Sequence, residues 1–460
     1  MNQAATSPAP REDVNPRTRE LLSAPVLPLL IRMASPNALA FLVQSSVSMT
    51  EVWYVGQLGP ISLAAMALMF PWLMLMQMLA NGAIGGGVTG AIARALGANE
   101  KVQAEQLIWH ALVIAMVAGI SFLALVLLAI EPLLSMMSDD PAVLGQARLY
   151  ALILFSGCPF IWSMAVLNST LRGMGNMKFP AILMIMGAAI QIPLSGTLIL
   201  GWFGAPQLGI AGAAVSVITV AVISTLILVI QLRRANSAIR LRSSAFKLQS
   251  HLFGAILKVG LPSSISPFLT VSTISGLNAL VGSFGVAALA GYGVGSRIEF
   301  LIIPFVFGIG VSMNTMVGVN LGAGQIKRAV HIGWVGAGVA GLLTGLGGLS
   351  VTIWPHAWAG IFTDDAATLA SATAFLQNTG PFFALQGIGL SLFFASQGAG
   401  TMKWPLIGNL LRFLIAIGGG AILLYGFNAS LPAIYLASGI GMFVVGAVTL
   451  TALKMGMWER

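Results

Sequence analysis

Apolar runs long enough to cross a hydrocarbon core of about 30 Å recur along the whole chain, separated by short polar connectors. They predict helices near residues 28–55, 61–92, 106–130, 142–168, 180–200 and 210–231, and again near 260–283, 288–317, 330–353, 367–395, 405–426 and 431–453. Several exceed the roughly 20 residues a perpendicular span needs, so tilt, bends or ends beyond the bilayer are expected. Pro36, Pro71, Pro159, Pro193, Pro262, Pro304 and Pro381 fall inside spans, where each removes a backbone donor and can bend its helix. Pro36 is the predicted hinge of the first helix.

The pattern repeats. At an offset of 225, Leu96-Gly97-Ala98 returns as Leu321-Gly322-Ala323, and Asp139-Asp140 as Asp364-Asp365. Gly173, Gly175, Met177, Lys178 and Pro180 return as Gly398, Gly400, Met402, Lys403 and Pro405; one residue away, Pro36, Gly56 and Gly59 match Pro262, Gly282 and Gly285. Composition alone scatters Gly and Ala matches but does not align them at one offset. Six helices per half is an even number, so both halves enter the membrane the same way round. The predicted fold is all-α and integral to the membrane, with about twelve helices in two six-helix lobes related by a pseudo-twofold along the membrane normal.

Composition agrees: 8% of residues are charged, against about 25% in a soluble protein, and the mean hydropathy is +0.92. The net charge of +9 does not point to nucleic acid, because Lys and Arg cluster in alternate connectors. Arg94, Lys101, Arg172, Lys178, Lys327, Arg328, Lys403 and Lys454 fall on one side, with Arg233, Arg234, Arg240, Arg242, Lys247 and Lys258 in or beside a long connector. The opposite connectors hold Glu131, Asp139, Asp140, Asp364 and Asp365 and no Lys or Arg. The positive-inside rule then puts both termini in the cytoplasm of a bacterial-type plasma membrane. The implied divisions are a disordered cytoplasmic tail (1–25), an N-terminal lobe (26–231), a basic cytoplasmic linker (232–258), a C-terminal lobe (259–453) and a short tail (454–460). No cleavable signal peptide is expected. The single cysteine, Cys158, excludes an internal disulfide or a cysteine metal cluster.

Charges inside the spans are few. Glu51, in the outer half of the first helix, is out of place in hydrocarbon and reads as functional, since a buried carboxylate can bind and release a proton. Glu299 is the other acid at membrane depth, with Arg297 two residues away. Arg412 is a cavity candidate, whereas Arg148 lies near an outer end within reach of water and acids. Asn168, Gln191, Ser195, Asn278 and Gln386 are polar groups at depth, a pattern that also serves interhelical packing. There is no HExxH, no G-x-S-x-G and no phosphate loop, so neither an enzyme nor an ATP-driven pump is expected, nor any cofactor or metal site.

Across almost its whole length the chain resembles the multidrug and toxic compound extrusion (MATE) family. The residues that carry the likeness are Thr50-Glu51-Val52-Trp53-Tyr54-Val55-Gly56-Gln57-Leu58-Gly59, Leu171-Arg172-Gly173-Met174-Gly175-Asn176, Gly209-Ile210-Ala211-Gly212-Ala213-Ala214 and Val317-Gly318-Val319-Asn320-Leu321-Gly322-Ala323-Gly324. The resemblance implies an antiporter, working as a monomer, that expels small amphipathic and often cationic compounds in exchange for protons or sodium. It implies cation coupling at Glu51 with Gln191 and Ser195, to which the polar groups at depth add Asn168; the remaining embedded polar residues, Glu299, Arg297, Asn278, Gln386 and Arg412, are the candidates for a substrate cavity. Gln191 and Ser195 stand where many members have an Asn and an Asp, and that lost acid favours protons over sodium, a hard cation that wants several fixed oxygens. Two alternatives are a lipid-linked oligosaccharide flippase of the same superfamily and a non-transporting membrane scaffold or receptor.

Overall fold

The computed structural model describes residues 15–135, 139–234 and 238–459. A short helix, α1 (Pro16–Ser23), precedes the first span, α2 (Val26–Gly56). The second span is α3 (Pro60–Gln77), a π-helical stretch (Met78–Ile84) and α4 (Gly85–Gly97). Then come α5 (Lys101–Ser135), the pair α6 (Pro141–Ser156) and α7 (Cys158–Gly173), α8 (Lys178–Leu200) and α9 (Ile210–Arg233). The second half runs α10 (Ser250–Gly282), α11 (Val286–Gly322), α12 (Ile326–Ile353), the short α13 (Pro355–Ala359), and the pair α14 (Ala366–Thr379) and α15 (Phe383–Ala399). It closes with α16 (Lys403–Phe413), prolonged by π-helical turns to Gly426, and α17 (Leu431–Lys454). Eleven of these helices are long and apolar enough to cross a membrane, or twelve if the bent pair α6–α7 is one span.

The two lobes follow the sequence repeat. α2 packs on α8 in its own lobe and on α11 of the other, while α10 packs on α16 and, across the boundary, on the second span. First-on-eighth and seventh-on-second are one relationship seen twice. The repeated glycines have local causes. Gly59 and Gly285, at the starts of α3 and α11, have φ of +108° and +107°, a backbone region that a Cβ disfavours.

The fourth span of each lobe is broken. α6 and α7 meet at 48° around Gly157, where a Cβ would lie 2.5 Å from Ile218 and Pro159 withholds its amide. Its counterpart breaks at Gly380–Phe382, around Pro381. By contrast α2 runs unbroken through Pro36, so the hinge expected there is not a helix break.

Two segments differ from their expected state. Residues 16–23 of the expected disordered tail are helical, begun by the Asn15 side chain accepting from Arg17 N–H. That helix is docked: Thr18 and Leu21 are buried, Asn320 Nδ2 donates to Leu21 O at 3.1 Å, and Arg328 donates to Ala24 O. Residues 1–14 and 460 lie outside the described residues. The expected linker is shorter than 232–258, because α10 begins at Ser250. Its described part, 238–249, is also tied down rather than free. Glu105 accepts from Arg240 N–H at 3.0 Å, Trp109 Nε1 donates to Arg242 O at 2.9 Å, and buried His110 accepts from Gln249 N–H at 2.8 Å.

All hydrogen bonds between lobes among the described residues lie between mid-depth and the face that carries both termini, called here the basic face. They link Arg94 to the 397–398 carbonyls, Asn314 to Gly86 O, Gln397 to Gly82 O, and Thr315 to Arg172 O. The lobes are therefore fastened together on the basic side.

Candidate functional site

α2 carries Glu51 five residues before its end at Gly56, a depth of about 8 Å at 1.5 Å per residue. The side chain is 7% exposed and turns toward α8. There Gln191 and Ser195, one helical turn apart, present their polar ends side by side. Gln191 Nε2 donates to Glu51 Oε1 at 2.7 Å and Ser195 Oγ donates to the same atom at 3.1 Å. Behind them Ser216 Oγ of α9 lies 2.7 Å from both Ser195 Oγ and Ala213 O, and its one proton goes to either of them. No Lys or Arg pairs with Glu51 among the described residues. A buried carboxylate held by neutral donors and no cation can exist charged, through those bonds, or protonated.

Aromatic rings close the site toward the outer end. Tyr54 meets Trp202 edge-on with centroids 5.4 Å apart. Both rings rest on Gly196, where a Cβ would come within 2.6 Å of Trp202 and 3.1 Å of Tyr54.

Of the four expected coupling residues the structure brings three together, Glu51, Gln191 and Ser195. Asn168 is not with them. It is buried on α7, five residues from that helix's end at Gly173 on the basic side, whereas Glu51 lies near the opposite face. Its Oδ1 has no hydrogen-bond partner. Ser216, by contrast, completes the cluster without standing out in the sequence. It is one of several Ser and Thr residues in an apolar helix that also holds Thr219, Ser224 and Thr225, and nothing in the sequence singles it out.

The expected cavity residues divide in the same way. Glu299 of α11 and Arg412 of α16 are partly buried at mid-depth in the C-terminal lobe. They interact electrostatically with each other and with Tyr292, yet no ion pair joins them among the described residues. Tyr292 stacks on Tyr435 with centroids 6.3 Å apart, and the Tyr435 hydroxyl bonds Ser371 Oγ at 2.9 Å. Arg297 does not neutralise Glu299; it is exposed and lies over the Phe362 ring, 5.1 Å from the centroid. Asn278 is exposed near the outer end of α10, and Gln386 is partly buried on α15 with an unpartnered Oε1. Arg148 pairs with Glu131 at 3.0 Å rather than with Asp139 or Asp140.

The sequence model of the MatE family matches residues 36–197 and 262–422, one match in each lobe. The chain belongs to the MatE family. Among its relatives, a protein of Shewanella oneidensis described as an FAD transporter is 29% identical over 67% of this chain and 68% of its own length. The multidrug resistance protein NorM of Burkholderia vietnamiensis is 26% identical over 92% of both chains. Among solved structures, a MOP superfamily transporter from Pyrococcus furiosus superposes with a TM-score of 0.89 at 24% identity, over 98% of this chain and 100% of that one. As a MatE protein the chain is a multi-pass membrane transporter.

Proposed function

We propose that this transporter is a secondary antiporter that exports small amphipathic organic compounds in exchange for protons, with its basic face in the cytoplasm and each chain acting alone. The orientation rests on the positive-inside rule applied to the basic connectors. The single observation that carries proton coupling is the pair of donors on Glu51 Oε1. A sodium site surrounds its ion with oxygen acceptors, whereas Gln191 offers its amide nitrogen and Ser195 its hydroxyl hydrogen. Both bonds fall on Oε1, so Oε2 can take a proton without breaking either. Neutralised, the carboxylate no longer needs those donors, and the contact between α2 and α8 can loosen. That loosening is the physical link between protonation and movement of the first helix. Asn168, far from Glu51, is given no part in the coupling.

In this reading the substrate pocket lies between the lobes, and Glu299, Arg412 and Gln386 are the polar groups that the C-terminal lobe offers it. Because Glu299 and Arg412 are not paired, each can answer a charge on the cargo. This favours amphipathic compounds that carry a charge. Arg412 also supports a second reading, in which the cargo carries a negative charge, as the FAD of the Shewanella relative and the lipid-linked sugars of the flippase alternative do. Efflux from sealed proteoliposomes, comparing cationic and anionic dyes of similar size, tests the proposal. Pumping of cations under an imposed pH gradient supports it. Transport of anions alone transfers the emphasis to Arg412, and transport of neither class defeats the proposed substrate range.

A further inference from the structure

Arg94 lies in the last turn of α4, where a basic side chain ordinarily reaches water beyond the helix end. Here it crosses the lobe boundary instead. Nη1 donates to Gln397 O at 3.1 Å and to Gly398 O at 2.7 Å, and Nη2 donates to Ala255 O at 3.4 Å. Gln397 and Gly398 are in the last turn of α15, which ends where Gly400 takes a φ of +83°. Carbonyls in that turn carry the negative end of the helix dipole; Gln397 O also accepts from the Gly400 cap N–H at 3.1 Å, so Arg94 adds a second, charged donor to it. Arg94 thus caps a helix of the other lobe, and no carboxylate pairs with it among the described residues.

The cap is one-sided. The repeat equivalent of Arg94 is Val319, so the C-terminal lobe sends no matching cation back. The close approach it needs is built in on its own helix, where a Cβ on Gly90 would lie 2.5 Å from Gln397 O. These are among the bonds that fasten the lobes on the basic side, and charge-assisted bonds are the strongest of that set.

We propose that Arg94 is a positioning residue for transport, the bolt that holds the lobes shut on the basic face and is withdrawn from the α15 carbonyls in every cycle. This rests on transport by lobes that part on alternate sides, but its test does not require a substrate. Spin labels at Val102→Cys and Lys327→Cys, in a Cys158→Ser background, report the separation of the lobes across the basic face; both positions are exposed there. The parent protein should populate mainly the short distance. Arg94→Ala should raise the ratio of long to short distances roughly tenfold or more, the scale of losing hydrogen bonds from a charged group. Arg94→Lys, which keeps the charge but lacks the fork, should fall between. Substrate turnover should drop in the same order while the melting temperature stays near that of the parent.

An unchanged distance distribution in Arg94→Ala overturns the proposal whatever happens to transport. Should that variant fail to fold, Gly90→Ala wedges the same contact apart and must move the distances the same way; no movement there also overturns it. Glu51→Gln in the labelled background keeps the two ideas separate. If it abolishes transport while Arg94→Ala leaves the distances alone, the coupling reading survives and the bolt does not.

Discussion

Gly97 and Gly322 stand against one another's helices across the lobe boundary, each in the place its repeat partner takes in the other lobe. A Cβ on Gly97 would lie 2.1 Å from Val319 O, and one on Gly322 would lie 2.1 Å from Arg94 O. Residues 94 and 319, like 97 and 322, are separated by the repeat offset of 225, so the pseudo-twofold axis passes between these two contacts. Either Gly→Ala change must push the ends of α4 and α11 apart. We expect each to destabilise the closed basic face by about 1–3 kcal/mol, the usual scale of overpacking, and by similar amounts because the contacts are equivalent. Spin-label distances across the basic face of the two variants check this; a shift in one and none in the other would deny the symmetry.

That contact also shows how far the sequence could be read. The offset between Leu96-Gly97-Ala98 and Leu321-Gly322-Ala323 was visible as a repeat and led directly to two parallel lobes. Glu51, Gln191 and Ser195 were legible because polar atoms at membrane depth are costly and therefore few. Asn168 looked equivalent to them by that criterion and is not, since the pattern along a chain does not say at which depth on a neighbouring helix a residue will fall. Along the chain Arg94 is one of several basic residues that set the orientation, and only the fold places its guanidinium on the carbonyls of another lobe. Residues 16–23 are too short and polar to predict as a helix alone, since isolated short helices are marginal. Contact with α11 orders them.

The repeated acid pair has a cause the connectors did not reveal. Asp140 accepts from Ala142 N–H at 2.8 Å at the start of α6, and Asp365 accepts from Thr368 N–H at 2.8 Å at the start of α14. In each lobe the second aspartate caps the fourth span. Hydrogen bonds from the Thr368 hydroxyl and amide hold the Asp365 carboxyl below the ordinary aspartate range. Because the folded value is the depressed one, its contribution is complete above the unfolded value and is lost as pH falls through the folded value. Asp365→Ala should speed amide exchange in the first turn of α14 at neutral pH and erase its acid sensitivity. Asp365→Asn, still an acceptor, should restore most of the protection but none of the pH dependence.

Leu21 of α1 is the apolar anchor of a helix that touches both lobes. It is 3% exposed, its carbonyl accepts from Asn320 of α11, and its side chain faces Gly175 between α7 and α8. Leu21→Ala should cost roughly 2–5 kcal/mol of docking energy, as for a buried leucine. Because α1 can leave without unfolding a span, the loss should be local. Faster exchange at residues 18–24, with unchanged protection in α11, is the expected signature. Global destabilisation instead would mean that α1 is part of the core rather than a strap across it.

The last prediction concerns the coupling ion and returns to Glu51. Glu51→Gln keeps the shape and an acceptor for Gln191 and Ser195 but cannot carry a proton, so it should insert and fold normally while gradient-driven efflux falls to that of empty vesicles. Glu51→Asp withdraws the carboxyl by one methylene and should retain part of the activity, since the charge survives and the hydrogen bonds of 2.7 and 3.1 Å lengthen. Ser216→Ala removes the group behind Ser195 without touching the carboxylate. It should shift the pH at which efflux is half-maximal while leaving maximal turnover largely intact, because it alters how firmly Ser195 donates. In sodium-free vesicles the parent should pump when a pH gradient is imposed and stop when a protonophore collapses it. Efflux that demands sodium at zero pH gradient defeats the proton reading. In that case oxygen ligands must gather around Glu51, and Ser195 and Ser216, already 2.7 Å apart, are the hydroxyls placed to turn their lone pairs toward an ion.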